Sequence, residues 1–249
     1  NQPVALADAP AELQPLVHSL NGLFGRIETM LQAERRFTAD AAHELRTPIA
    51  AIRTQAQVAL AEADDEPRRH ALRATLQGCD RAARLVDQLL TLSRLEAGAA
   101  VPMQPVDLAA LARQVVADLA PRALDKRQDL GLDADASCVM PGDATLLGIL
   151  LRNLVDNALR YSPRGARIQV RVHRDGGRMR LEVEDSGPGL SADEAQRLGQ
   201  RFHRGMGHEE SGSGLGWSIV RRIAEVHGLA VEVGASQRLG GLTVTLLSA

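Results

Sequence analysis

The sequence predicts a multi-domain chain: an all-α helical hairpin whose two copies pair into a four-helix bundle, followed by an α/β sandwich. Three observations predict it. Apolar residues make up 45% of the 249 residues but aromatics only 2%, so the core is built from Ala, Leu and Val, the side chains of helix packing. Through the first third of the chain the apolar residues recur at steps of three and four. Beyond EAGAAVPMQPVD (residues 96 to 107), rich in small residues and proline and the best linker, helical spacing and strict alternation take turns.

Leu13, Leu16, Leu20, Leu23, Ile27 and Met30 follow the a/d pattern of a coiled coil, which calls for a partner helix. The stripe continues as Phe37, Ala41, Leu45, Ile49, Ile52, Ala56 and Ala59, where consecutive steps of four act as a stutter. After the acidic AEADDEP (residues 61 to 67) a second series runs Leu72, Leu76, Cys79, Ala83, Val86 and Leu90, which makes an antiparallel helical hairpin. One hairpin has too little core, and pairing of two copies supplies it. The second half carries helix patterns at Leu108 to Leu119, Ala144 to Arg160 and Gly216 to His227. Strand patterns lie at ARIQVRVH, RMRLEVED, AVEVGA and LTVTLL, the first two joined by a turn at Asp175, Gly176 and Gly177. One mostly antiparallel sheet is expected.

A net charge of −2 gives no basic surface for nucleic acid. Cys79 and Cys138 lack metal-ligand spacing and read as small buried apolar residues rather than a disulfide. No apolar run of about 18 residues is present. The chain opens on Asn and reads as a piece of a longer protein, whose N-terminal portion has room for transmembrane helices.

Four stretches carry chemistry. In AAHELRTPIAAI, His43 sits about 200° around the helix from Ala41 and Leu45, on the wet face, and Thr47 lies one turn along that face. Glu44 is a carboxylate next to the imidazole, suited to fix its tautomer and take its proton. Pro48 cannot donate to the Glu44 carbonyl and weakens the histidine's own turn at a cost of about 3 kcal/mol. A new helix capped by Thr47 is the alternative, and the unbroken apolar stripe opposes it. In RNLVDNALRY, Asn153 and Asn157 are one turn apart and can turn two amide oxygens to one hydrated Mg²⁺, with Arg160 and Tyr161 extending that edge. Buried asparagines that glue a core satisfy the same pattern. In EDSGPGL, Asp185 is an acceptor for an exocyclic amine while Gly187 and Gly189 allow close backbone approach, as would a tight turn. In SGSGLGWSIV, Gly212, Gly214 and Gly216 run into a helix whose bare N–H groups suit phosphate.

Taken together and in this order, the chain resembles the bacterial sensor histidine kinases of two-component systems. HELRTP resembles the H box, NLVDNALRY the N box, DSGPG and GSGLG the glycine boxes, and RFHRG the F box. The resemblance implies the end of a HAMP signalling coiled coil over residues 1 to 35 and a HisKA-type dimerisation and phosphotransfer domain over 36 to 98. A GHKL (Bergerat-type) ATP-binding domain is implied over 103 to 249. It implies a protein-histidine kinase in which His43 attacks the γ-phosphate of ATP, Glu44 is the general base and Thr47 orients water for dephosphorylation of the partner. Asn157 and Asn153 would hold Mg²⁺, and Arg160 and Tyr161 would line the phosphate and adenine ends. Asp185 would bind the adenine amine between Gly187 and Gly189. Arg204 would reach the γ-phosphate from a lid near residues 200 to 214, and Gly212, Gly214, Leu215 and Gly216 would frame the phosphates. Implied partners are a response regulator's receiver domain and a second copy of the chain. No nucleic acid is implied, and the membrane enters only through an N-terminal portion, with this part at the cytoplasmic face of the inner membrane. Trp217 departs from the aliphatic residue usual there, and Leu190 from the commoner Ile. An ATP-driven clamp of the same fold has no need of an exposed nucleophile on a dimerisation helix. A non-catalytic scaffold has no need of His43, Glu44, Asn157 and Asp185 together.

Overall fold

The computed structural model describes residues 14–96, 101–190 and 216–248. The chain divides into two compact units, residues 1–84 and 85–249. In the first, α1 (Gln14–Ala61) is a single helix of 48 residues that continues through Pro48. The alternative of a second helix starting at Pro48 is thereby removed. α2 (Asp65–Glu96) opens with Asp65 and Glu66 in its first turn, where carboxylates complement the helix dipole.

The apolar series expected to form the seam of the hairpin proves to be outward. Leu72, Leu76, Val86 and Leu90 are exposed, as is Cys79, which corrects its expected burial; Cys138 is fully buried. The seam uses small residues instead. Ala71 and Gly78 are buried on α2, and a Cβ on Gly78 would lie 2.6 Å from Ile52 Cγ1. Small side chains let two helices approach closely, leaving the large ones on α2 for another surface.

In the second unit, β1 (Gln104–Asp107) pairs with β3 (Val139–Gly142) in a two-stranded antiparallel sheet. A five-stranded sheet has the order β2-β4-β5-β7-β6, formed by β2 (Asp129–Ala134), β4 (Arg167–Asp175), β5 (Arg178–Asp185), β6 (Leu229–Ala235) and β7 (Leu242–Ser248). Only β2 and β4 are parallel; the other pairs are antiparallel, the expected mostly antiparallel sheet. Ile168, Val170, Val172, Leu181, Val183, Val244 and Leu246 are buried, and on the opposite face Gln169, Arg171, Glu182, Glu184 and Thr245 are polar. The apolar face belongs with α3 (Leu108–Asp125), α4 (Ala144–Tyr161) and α5 (Gly216–Val226). The stretch expected to be a linker thus ends in a paired strand.

Caps set where the helices begin and end. Asp107 Oδ1 accepts from Ala109 N and from Cys138 N, both at 3.0 Å, joining the start of α3 to β3. Asp143 Oδ1 accepts from Leu146 N at 2.9 Å, while its own N–H donates to His227 Nε2 at 3.0 Å. At the other end of α4, Arg127 takes φ 53° and the chain turns so that Gln128 faces the helix terminus. Gln128 Nε2 donates to the carbonyls of Leu159, Ser162 and Pro163 at 3.1, 2.9 and 3.0 Å, and Lys126 Nζ donates to those of Leu159 and Arg160. Gln128→Ala removes a buried donor from three carbonyls and is expected to cost about 1–3 kcal/mol. The check is a lower urea midpoint with unchanged slope.

Candidate functional site

α4 has a greasy face and a polar edge. Leu147, Leu150, Leu151, Leu154, Val155, Ala158 and Leu159 are buried, whereas Asn153 and Asn157 are half-buried one turn apart. Asn153 Nδ2 donates to the Ile149 carbonyl at 2.8 Å, which fixes the amide and turns Oδ1 away from the helix. Gly216, the first residue of α5, sits against this edge: a Cβ there would lie 2.9 Å from Asn153 Oδ1 and 3.8 Å from Asn157 Nδ2. The structure therefore brings two asparagines and the last glycine of the SGSGLG stretch to one place. Arg160 lies further along, paired with Asp156 at 3.0 Å and with its guanidinium carbon 5.9 Å from the Tyr161 ring centroid. Asp156 also pairs with Arg122, so the Arg160 charge is partly balanced within the fold.

Asp185 ends β5 on the helix-facing side of the sheet and is 9% exposed. Two backbone donors converge on its Oδ1, Gly187 N at 2.8 Å and Leu242 N at 3.3 Å. Burial pushes its pKa up from the ordinary carboxylate value, and the N–H groups of Gly187 and Leu242 and the Ser162 hydroxyl pull it back only in part. The walls are glycine for steric reasons. A Cβ on Gly187 would lie 2.9 Å from Asp185 Oδ1 and 3.1 Å from Ser162 Oγ, and one on Gly241 would overlap the same carboxylate oxygen. Gly189 takes φ 73°, a left-handed conformation that L side chains avoid. The outcome is a buried carboxylate reached past bare backbone, a place for a flat group with an N–H to give.

On α1 the backbone sets His43 and Thr47 one helical turn apart with Glu44 between them. Glu44 is half-buried and Thr47 exposed; the His43 side chain, like Arg204, Gly212, Gly214 and Leu215, lies outside the described residues. Trp217 and Leu190 are half-buried.

Comparison with known proteins finds matches over most of the chain. Residues 33–98 match the profile of the His Kinase A phospho-acceptor domain, and residues 142–248 that of the histidine kinase-, DNA gyrase B- and HSP90-like ATPases. Sensor protein QseC of Escherichia coli (strain K12) is 43% identical over 242 residues, 96% of this chain and 53% of QseC. The chain belongs to the sensor histidine kinases. Sensor protein kinase PmrB of Pseudomonas aeruginosa is 40% identical over 245 residues, 98% of this chain and 51% of PmrB. The histidine kinase AdeS of Acinetobacter baumannii shares the fold, with a TM-score of 0.67 at 24% identity, over 83% of this chain and 97% of that one. This sensor histidine kinase spans about half the length of the curated relatives it matches.

Within this sensor histidine kinase the α/β unit is the ATP-using part. The residues present fit ATP: the amides of Asn153 and Asn157 and the Asp185 carboxylate offer oxygens to a cation and an amine, and glycines at 187, 216 and 241 bring bare backbone up to them where a Cβ would collide. Sequence reasoning missed Gly241, Ser162, Leu242 and Gln88. The first had a signal in the Gly240-Gly241 pair before a strand; the others are fixed by tertiary contact alone. Among the described residues no helix is long and apolar enough to cross a membrane.

The raised pKa of Asp185 has a stability consequence with a definite sign. A group that binds its proton more tightly in the folded state stabilises below its unfolded pKa, and that contribution is lost as pH rises through the folded value. Asp185→Asn keeps the acceptor for Gly187 N and Leu242 N without the buried charge. The expected outcome is that its melting temperature gains on the wild type as pH rises from about 4 to 7.

Proposed function

We propose that this chain is the catalytic portion of a membrane sensor kinase that phosphorylates His43 from ATP and passes the phosphoryl group to an aspartate of a response regulator. The observation that carries this reading is the meeting of Asn153, Asn157 and Gly216 on one edge of α4, in the same unit as the glycine-walled Asp185. Asp185 would accept from the adenine amine, with Gly187 and Gly189 giving the ring room. The amide oxygens of Asn157 and Asn153 would hold Mg²⁺, which when bound neutralises charge on the phosphate oxygens. Gly216, with Gly212, Gly214 and Leu215, would frame the phosphates by backbone N–H groups. Arg204 would add charge at the γ-phosphate, and Arg160 and Tyr161 would line the rim.

In the transfer step a ring nitrogen of His43 bonds to the γ-phosphorus as the bond from phosphorus to the β,γ-bridging oxygen breaks. ADP leaves and Glu44 takes the imidazole proton. The phosphoryl group then moves to the receiver domain, and Thr47 orients water for the reverse service on the regulator. Residues 36 to 98 would be the dimerisation and phosphotransfer domain, and 103 to 249 the ATP-binding domain. A second copy would cover the outward Leu72, Leu76, Val86 and Leu90 and so complete a four-helix bundle. The coiled-coil pattern through Leu16, Leu20, Leu23 and Ile27, all exposed in the single chain, would continue that pairing toward the membrane-borne part of a longer protein at the cytoplasmic face of the inner membrane.

Incubation with γ-labelled ATP and Mg²⁺ tests the nucleophile. Wild type is expected to take an acid-labile, base-stable label and His43→Gln none; equal labelling of the two would remove His43 from the role. Thr47→Ala is expected to keep autophosphorylation and to slow regulator dephosphorylation about a hundredfold, the loss that misplacing a reacting group brings, followed by decay of labelled regulator.

A further inference from the structure

The C-terminal segment of α2 does something that the kinase reading leaves unused. Leu85, Leu89, Leu92 and Leu95 are buried along one face of the segment, and Leu92 is 1% exposed. Gln88 shares that face, three residues after Leu85 and four before Leu92. Its Nε2 donates to Asn153 Oδ1 at 3.3 Å, within the unit of residues 85–249. At the far end of the same segment, Arg222 on α5 donates to the Leu95 carbonyl at 2.9 Å. A hydrogen bond from the side and one at the terminus thus accompany an apolar seam.

The acceptor is what matters. Asn153 Nδ2 is committed to the Ile149 carbonyl, so Oδ1 is the atom that the amide can offer to a cation. The same Oδ1 lies beside Gly216, where the phosphate-framing stretch enters α5. An N–H group brings its positive end to an oxygen that a cation would also approach, and two positive partners on one oxygen repel.

We propose that Gln88 is a positioning residue that holds Asn153 Oδ1 against the C-terminal segment of α2, so that seating of this segment and Mg²⁺–nucleotide binding at Asn153 oppose each other. The inference rests on the nucleotide reading above. By thermodynamic reciprocity, Mg²⁺–nucleotide loosens the Leu85–Leu95 segment to the degree that Gln88 weakens Mg²⁺–nucleotide.

Titration calorimetry on the whole chain, with a non-hydrolysable ATP analogue in Mg²⁺ and again in EDTA, measures the coupling. Gln88→Leu is expected to bind the Mg²⁺ complex about threefold to tenfold tighter than wild type, the range of one net hydrogen bond, and to match wild type in EDTA. Gln88→Glu, which keeps the side chain's length and brings a cation-attracting carboxylate, is expected to gain at least as much and serves if the leucine variant fails to fold. Amide exchange over residues 85–96 of wild type is expected to quicken when the Mg²⁺ complex binds and to be unaffected by the metal-free analogue. Equal affinities in Mg²⁺ for wild type and a folded variant, or a gain that persists unchanged in EDTA, overturns the role of Gln88 while leaving the nucleotide site standing. A wild type that binds no nucleotide in either buffer overturns the site and this coupling together.

Discussion

Everything in the ATP-using unit depends on how α4 is seated. Seven of its 18 residues are buried, and Leu150 and Val155 are completely so. Each buried leucine contributes about 1.5–3 kcal/mol on leaving water, an upper estimate because unfolded chains already hide some of that surface. Such a face tolerates no rotation, since a turn of one residue would carry polar Asn153 or Asn157 into the core. Burial of the leucines therefore fixes the direction of the asparagines. The ends are held as firmly: Asp143 and His227 at the start, Lys126 and Gln128 at the finish. His227 acts as an acceptor at Nε2 and meets the Ile223 carbonyl through Nδ1, a tautomer that ties the end of α5 to the beginning of α4.

Strand β5 shows how environment separates structural from chemical carboxylates. Glu182 and Glu184 point to the polar face, where Arg171 bonds to both and Arg180 bonds to Glu182. Burial opposes ionisation of Glu182, yet Arg180 and Arg171 outweigh it and its pKa falls. Ser236 Oγ donates to Glu184 at 3.2 Å. Asp185, next along the same strand, faces the other side, where the N–H groups of Gly187 and Leu242 donate to it and Ser162 lies beside it. A buried carboxylate balanced by arginine is accounted for by the fold. One held by N–H groups without a cation, at a raised pKa, is costly to the fold.

The legible parts of the sequence were those whose signal is local. The period of α4 read as Ala144 to Arg160 and stands as Ala144–Tyr161, and the β4–β5 turn followed from Gly176 and Gly177, both at positive φ. Strands β1, β2 and β3 were not read, because Pro105, Pro141 and Gly131 interrupt any alternation and each strand owes its existence to its partner. Gly131 is a case in point, since a Cβ there would lie 2.5 Å from Gln169 Oε1 across the ladder. On α2 the large apolar series was visible and its direction was not. Hydrophobic period marks a stripe but does not say which of two stripes meets the nearest neighbour. In the candidate site, the one-turn spacing of Asn153 and Asn157 was legible, while the contacts of Gly241, Leu242 and Gln88 were not, being made over long stretches of chain.

Helix α2 joins these threads. It presents small residues at Ala71 and Gly78, large exposed ones from Leu72 to Leu90, and a buried leucine face from Leu85 to Leu95. The helix thus carries three kinds of surface along its 32 residues, about 48 Å at 1.5 Å per residue. Pro48 on α1 can be weighed in the same terms. The helix is not interrupted there, so the proline removes one backbone donor at the Glu44 carbonyl without stopping the helix. A carbonyl released beside His43 lowers the cost of bending at that turn. The proline thus removes a backbone hydrogen bond from the very turn on which His43, Glu44 and Thr47 stand, while the helix runs on past it.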